Sequence, residues 1–149
     1  MIVKLNSTEY VDSLLHLENL CFDSEAWNKR ALKELFESTL AHVFAYIEKE
    51  MVVGYLSFFA IADEMQIATV AVHPDFRRKG IASSLIESAE VCAKQKGCTI
   101  GELEVNVNNH KAVALYQKMG YKAVGVRKNF YPKDKTFGSK DGYTMIKQL

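Results

Sequence analysis

Long apolar runs are missing from this 149-residue chain. Nothing in it approaches the roughly 20 apolar residues that a helix needs to span a bilayer, so helical membrane crossing is excluded. The opening Met1-Ile2-Val3-Lys4-Leu5-Asn6 has neither the apolar core nor the small-residue cleavage site of a secretory signal. It reads as a short strand, and a cytoplasmic protein is expected. Paired cysteines are also lacking: Cys21, Cys92 and Cys98 are odd in number and form no CxxC, which argues against a disulfide framework or a zinc ribbon and leaves small buried thiols as the expectation. His16, His42, His73 and His110 are scattered without HExxH spacing, so no metal is expected. Charge of one sign is scarce too. Nineteen Lys+Arg against 18 Asp+Glu leave a net charge of +1, which speaks against a chain built around nucleic-acid phosphates. No direct nucleic-acid or membrane partner is expected. There is no solenoid repeat, low-complexity tract or Pro/Gly/Ser linker, and residues 1–149 read as one domain, a monomer or weak dimer.

What is present is the ordinary stuff of a soluble α/β domain, 48% hydrophobic and 25% charged. After the first strand, Ser7-Thr8 offers caps for a helix carrying Val11, Leu14, Leu15 and Leu17 towards Leu20. Asn28 could cap a second helix bearing Ala31, Leu32, Leu35 and Phe36, with the aromatic segment Cys21 to Trp27 between the two. Apolar and β-branched runs, His42 to Glu48 and Met51 to Ala62, joined by Lys49-Glu50, predict an antiparallel hairpin, and Gln66 to Val72 continues the sheet. From Gly80 the period turns helical through Ile81, Leu85, Ala89 and Cys92, stopping near Gly97. A strand at Ile100 to Val107, a helix from Asn109 to Met119-Gly120, a strand at Tyr121 to Arg127, a loop from Lys128 to Gly142 and a last strand at Tyr143 to Gln148 complete a mixed sheet with helices packed on it.

The sharpest local feature is Val70-Ala71-Val72-His73-Pro74-Asp75-Phe76-Arg77-Arg78-Lys79-Gly80-Ile81-Ala82. A helix N-terminus carries roughly half a positive charge, so each of the cations Arg77, Arg78 and Lys79 is disfavoured there by about 0.3–1 kcal/mol unless an anion joins them. The N–H groups of Gly80, Ile81 and Ala82 at that end would serve the same anion, and the glycine permits close approach. The plain alternative is a solvated basic turn. No GxxxxGK[ST] or GxGxxG is present, so neither a P-loop nor a dinucleotide fold is supported.

Further along, Ile100 to Val107 alternates, with Leu103, Val105 and Val107 on one face and Glu102, Glu104 and Asn106 on the other. Such a strand is either solvent-exposed on its acidic face or presents a general base. Tyr116, on the following helix, is either a core aromatic or an acid. Two blocks tip the balance. Arg77, Gly80 and Ala82 fit an R-x-x-G-x-A pattern, and Asn109, Ala112, Leu115, Tyr116, Gly120 and Tyr121 fit N-x-x-A-x-x-L-Y-x-x-x-G-F/Y. In both, and in their order and separation, the chain resembles the GNAT superfamily of N-acetyltransferases.

That resemblance implies an α/β GNAT fold with a mixed, mostly antiparallel sheet of about seven strands flanked by about four helices. It implies acetyl-CoA as cosubstrate, its pyrophosphate wrapped by Arg77, Arg78, Lys79, Gly80, Ile81, Ala82 and Ser83, its pantetheine arm along Val70, Ala71 and Val72, with Asn109 and Tyr116 also against it. The Leu103-Glu104-Val105 strand and the Leu115-Tyr116 pair resemble those of the ribosomal-protein-alanine acetyltransferases (RimI type), where this glutamate is the general base and this tyrosine the general acid. Donation from a tyrosine near pKa 10 to a thiolate near 8.5 costs only about 2 kcal/mol at unperturbed values. A covalent acetyl-cysteine route is the competing mechanism, but no cysteine occupies a catalytic position of either block.

An α-amine is about a tenth neutral at pH 7 and a lysine only a few parts in ten thousand, which suits a single weak base to a protein N-terminus. Arg127-Lys128-Asn129-Phe130-Tyr131-Pro132 resembles the R-x-N-Y-Y-P loop of the same group, with Tyr131 at a substrate-lining position and Phe130 lacking the hydroxyl. Ala26-Trp27-Asn28 resembles its Pro-Trp-Ser without the proline, so Trp27 is either a substrate contact or a core anchor, and Asp141-Gly142-Tyr143 echoes an acidic turn. The acceptor these echoes imply is a protein N-terminus, with the alanine-starting protein of the small ribosomal subunit foremost. Acetylation of a small amine or lysine, and a non-catalytic CoA-binding module, are the alternatives.

Overall fold

The computed structural model describes residues 1–22, 26–131 and 136–149, so Asp23 to Glu25 of the aromatic segment, and Pro132 with the start of the stretch after it, lie outside the described residues. A single seven-stranded sheet runs in the order β1-β2-β3-β4-β5-β7-β6. Its strands are β1 (Ile2–Leu5), β2 (Ala41–Glu48), β3 (Met51–Ile61), β4 (Glu64–Val72), β5 (Ile100–Asn106), β6 (Lys122–Arg127) and β7 (Gly142–Gln148). Every neighbouring pair is antiparallel except β4 and β5. The helices are α1 (Val11–Cys21), α2 (Lys29–Glu37), α3 (Ile81–Gln95) and α4 (His110–Lys118).

Local chemistry sets most boundaries. The Asn28 carboxamide accepts the Ala31 N–H at 2.8 Å and opens α2, and Asn109 accepts the Ala112 N–H at 3.3 Å and opens α4. The Ser7-Thr8 cap is corrected: Ser7 makes no capping bond, and a 3-10 turn, Thr8–Tyr10, precedes α1, which starts at Val11. The β2–β3 hairpin turns through Lys49 and Glu50 at φ +48° and +66°, the left-handed pair that a tight hairpin needs.

Alternation along β3 divides the core. Tyr55 faces α1 and α2 with Leu14, Leu17, Leu32, Leu35, Val43 and Ala71. Leu56 and Phe58 face the other way, with Ile81, Leu85, Ile86 and Ala89 of α3, and α4 rests against that same cluster through Ala112, Leu115 and Tyr116. A side chain at Gly54 would come within 3.0 Å of Ile81 and 3.2 Å of the Ala71 carbonyl, so the missing Cβ lets α3 seat its first turn on the sheet.

The feature that positions the site is a split in the sheet. β4 and β5 pair only at Glu64↔Ile100, Met65↔Gly101 and Gln66↔Glu102. Past that point β4 carries a bulge at Ala68, where the register with β3 jumps from Phe58↔Ile67 to Ser57↔Thr69, and β5 pairs with β7 alone.

Candidate active site

The split leaves one edge of β4 open. The His73 N–H donates to the Val53 carbonyl at 2.8 Å, and with the register Gly54↔Val72 and Tyr55↔Ala71 this makes His73 and Ala71 the residues bonded to β3. Val70 and Val72, out of phase with them, turn their N–H and C=O groups towards the gap. The Val72 carbonyl accepts Arg77 Nε at 3.0 Å and the Cys21 thiol at 3.4 Å. Arg77 is thereby held at the strand's end, with Arg78 and Lys79 exposed beside it.

Arg78 at φ +64° and Gly80 at φ +76° curl the chain into α3. The first N–H to join the helical ladder is that of Ser84, on the Gly80 carbonyl at 3.0 Å, so those of Ile81, Ala82 and Ser83 point out of the helix end. A basic turn, three outward amides and an open strand edge follow one another in space. That set fits a pyrophosphate followed by an amide-bearing arm, the shape of acetyl-CoA.

Across the gap, Leu103 and Val105 enter the core and turn Glu102 and Glu104 to the opposite face. Glu104 accepts the Thr144 hydroxyl at 2.7 Å and lies 3.4 Å from an Arg127 guanidinium nitrogen, its side chain 17% exposed. It is therefore held in place yet open to solvent. Burial, with the nearby Glu104 and Glu64 carboxylates, pushes the Glu102 pKa up. Asn106 is buried, not solvated: its amide donates to the Ser139 carbonyl at 2.7 Å and its oxygen accepts the Asn108 N–H at 3.0 Å.

Tyr131 reaches the same face. A Cβ on Gly142 would lie 3.3 Å from the Tyr131 ring, and Gly142 pairs with Asn106 and Arg127. Asp141 of the acidic turn accepts the Asn129 N–H at 2.9 Å, closing the base of the segment that carries Phe130 and Tyr131. Tyr116 lies on the other face, half-buried, its ring edge-on to Tyr121 at 6.3 Å. Burial pushes its pKa up to about 12. The cost of passing its proton to an ordinary thiolate then becomes about 5 kcal/mol rather than 2, a correction to the value from unperturbed groups. Asn109 caps the helix that carries Tyr116.

Trp27 is half-buried against the α1/α2 core cluster and helps line a cleft of about 580 Å³ with Asn28, Ala31, Leu35 and Phe59. The expectation of buried thiols holds for Cys98 alone, since Cys21 and Cys92 are half-buried. Cys21 also comes to β4, which no linear pattern suggested; desolvation raises its pKa, and the Arg77 guanidinium opposes that rise. Among the described residues no group of three or more His, Cys, Asp or Glu side chains could hold a metal, and no helix is long and apolar enough to cross a membrane.

Sequence reasoning missed Thr144 and Arg127 beside Glu104, and the buried Glu18–Tyr55 pair beneath Trp27. The first two were legible only through register. Glu18 did carry a signal, a carboxylate on the apolar stripe of Val11, Leu14 and Leu17.

Comparison with known proteins agrees with this architecture. Residues 11–121 match the acetyltransferase (GNAT) family. A Bacillus subtilis (strain 168) protein provisionally named ribosomal protein bS18-alanine N-acetyltransferase is 35% identical over 125 residues, 83% of this chain and 82% of that one. The crystal structure of the Escherichia coli ribosomal-protein-S18-alanine N-acetyltransferase superposes with a TM-score of 0.88 at 22% identity, over 100% of this chain and 94% of that one. The Thermoplasma acidophilum PaiA N-acetyltransferase, solved in complex with coenzyme A, gives a TM-score of 0.81 at 19% identity over 100% and 99% of the two chains. The expected seven-stranded mixed sheet with four helices is the one observed. From the extent of the family match and the level of identity together, the chain belongs to the GNAT family and is an acetyl-CoA-dependent N-acetyltransferase.

Proposed function

We propose that residues 1–149 form one acetyltransferase domain that acetylates the N-terminal α-amine of a protein in the cytoplasm, with the alanine at the start of ribosomal protein bS18 as leading acceptor. The observation that carries this reading is the placement of Glu104, fixed by Thr144 on the open face beside the unpaired edge of β4. The 35% identity to a relative named for bS18 supports the choice of acceptor.

In this reading the pyrophosphate of acetyl-CoA lies on the N–H groups of Ile81, Ala82 and Ser83 with Arg77, Arg78 and Lys79 around it. The pantetheine arm extends the sheet along Val70, Ala71 and Val72, with Asn109 and Tyr116 on its far side. Glu104 removes a proton from the acceptor ammonium, the free amine attacks the thioester carbonyl, and a main-chain N–H of β4 holds the oxyanion. The carbon–sulfur bond then breaks, the thiolate takes its proton from the Tyr116 side, and the amide nitrogen sheds its second proton to solvent, which reprotonates the phenol while Glu104 releases its own proton to water. Because the Tyr116 phenol holds its proton up to about 12, it stabilises the departing sulfur first by a hydrogen bond. Trp27 and Tyr131 line the acceptor's path.

The test is acetyl-CoA turnover, by thiol release, on a peptide beginning with alanine, on an N-terminally blocked twin carrying lysine, and on a polyamine. Turnover on the free-alanine peptide alone is expected. Turnover only on the blocked peptide or polyamine would transfer the reading to lysine or small amines, and silence on all three with tight acetyl-CoA binding would favour a non-catalytic module.

A further inference from the structure

Glu18 is fully buried on α1, at a position where the stripe of Val11, Leu14 and Leu17 calls for an apolar side chain. No cation pairs with it among the described residues. Its two oxygens accept instead from the Tyr55 hydroxyl and, at 3.1 Å, from the main-chain N–H of Trp27. A buried carboxylate is a costly way to fill a core, and an apolar residue of similar size would pack there more cheaply. What Glu18 adds is a fixed point for Trp27. One turn further on, Cys21 of the same helix donates to Val72 of the donor strand. The last turn of α1 therefore touches the cleft wall and the open edge of β4 at once.

We propose that Glu18, held by Tyr55, is a positioning residue that fixes Trp27, and with it the wall of the acceptor cleft, relative to the donor strand. The proposal rests on the reading above, in which Trp27 lines the acceptor's path. Desolvation raises the Glu18 pKa, and the two donated hydrogen bonds oppose that rise by favouring the carboxylate.

The chemistry of the pair supplies a discriminating test. The Trp27 N–H can only donate, whereas the Tyr55 hydroxyl can donate or accept. A Glu18→Gln amide therefore keeps its oxygen on Trp27 and gives its NH2 to Tyr55, while Glu18→Leu leaves the Trp27 N–H without its acceptor. Trp27 is the only tryptophan of the chain, so its emission reports this position directly. Glu18→Leu is expected to raise the acceptor KM about tenfold, to leave the acetyl-CoA Kd within about twofold and to shift the Trp27 emission, whereas Glu18→Gln keeps acceptor KM and emission near wild type. Tyr55→Phe alone, which keeps the carboxylate on Trp27 but frees its other oxygen, moves the same readouts in the same direction by about threefold and decides the matter if Glu18→Leu does not fold. An unchanged acceptor KM and emission in Glu18→Leu, or an acetyl-CoA Kd that rises in parallel, would overturn the proposal. If the wild-type protein ignores the alanine peptide, an emission that shifts in Glu18→Leu and holds in Glu18→Gln still supports the pair and counts only against the acceptor.

Discussion

On the donor side of the gap, Val70 and Val72 present main-chain groups and the start of α3 presents three more. On the acceptor side, Glu104 stands between Thr144 and Arg127, and Tyr131 leans on Gly142. In the proposed reading the heart of the donor half, residues 70–83, comes from one continuous stretch and, the basic turn apart, from main-chain atoms that every residue type shares. The acceptor half is assembled from side chains on β5, β6, β7 and the approach to α2. A backbone site tolerates change in side chains but not in φ and ψ, and a side-chain site shows the reverse.

The largest break in this contrast comes from the chemistry both halves serve. Tyr116→Phe is expected to lower turnover by about 10²–10⁴-fold while acetyl-CoA affinity, measured by calorimetry, stays near wild type. Next, Gly80→Val forces a β-branched residue into φ +76°, where nothing else would crowd a side chain, so the effect is one of backbone geometry. The strain of about 1–2 kcal/mol should weaken acetyl-CoA binding about tenfold and leave the acceptor KM unchanged. Thr144→Val sharpens the acceptor side. Loss of the hydrogen bond that orients the Glu104 carboxylate should cut turnover several-fold, while acetyl-CoA affinity stays near wild type.

The smallest effect on activity is expected at His42, remote from both halves and packed at 5.0 Å on Phe58. Burial, with Lys4 and Lys96 nearby, lowers its pKa to about 4. The fold favours the neutral ring, so the stability this contributes is present above pH 6.5 and is lost as the pH falls from there towards 4. Urea denaturation at pH 7 and pH 5 should differ by about 1–2 kcal/mol from this residue, a difference that His42→Phe removes without altering acetylation at pH 7.

The same contrast explains what the sequence disclosed. Arg77, Gly80 and Asn109 were legible because a helix start is a local event with its own signature, and the alternation of Ile100 to Val107 placed Glu104 on the polar face. Thr144 was not legible, because 40 residues separate it from the carboxylate it holds and only the β5–β7 register brings them together. Cys21 likewise meets Val72 across 51 residues by the packing of α1 on the sheet. Ser7 looked like a cap because its residue type is right, but the 3-10 turn after it displaced the helix start.

Mechanically, the sheet is two plates on a short hinge pin, the three residue pairs from Glu64↔Ile100 to Gln66↔Glu102. In the proposed mechanism Glu104 and the thioester sit towards the free ends of the plates, where a small rotation about the pin becomes a large displacement. Gly101 lies on the pin itself, and a Cβ there would meet the Tyr121 hydroxyl at 2.8 Å. That hydroxyl is bonded in turn to Glu90, which also holds Lys147 at 2.8 Å. The stiffness of the jaw is therefore set at its back, by a glycine and a part-buried ion pair, rather than at the residues proposed to react.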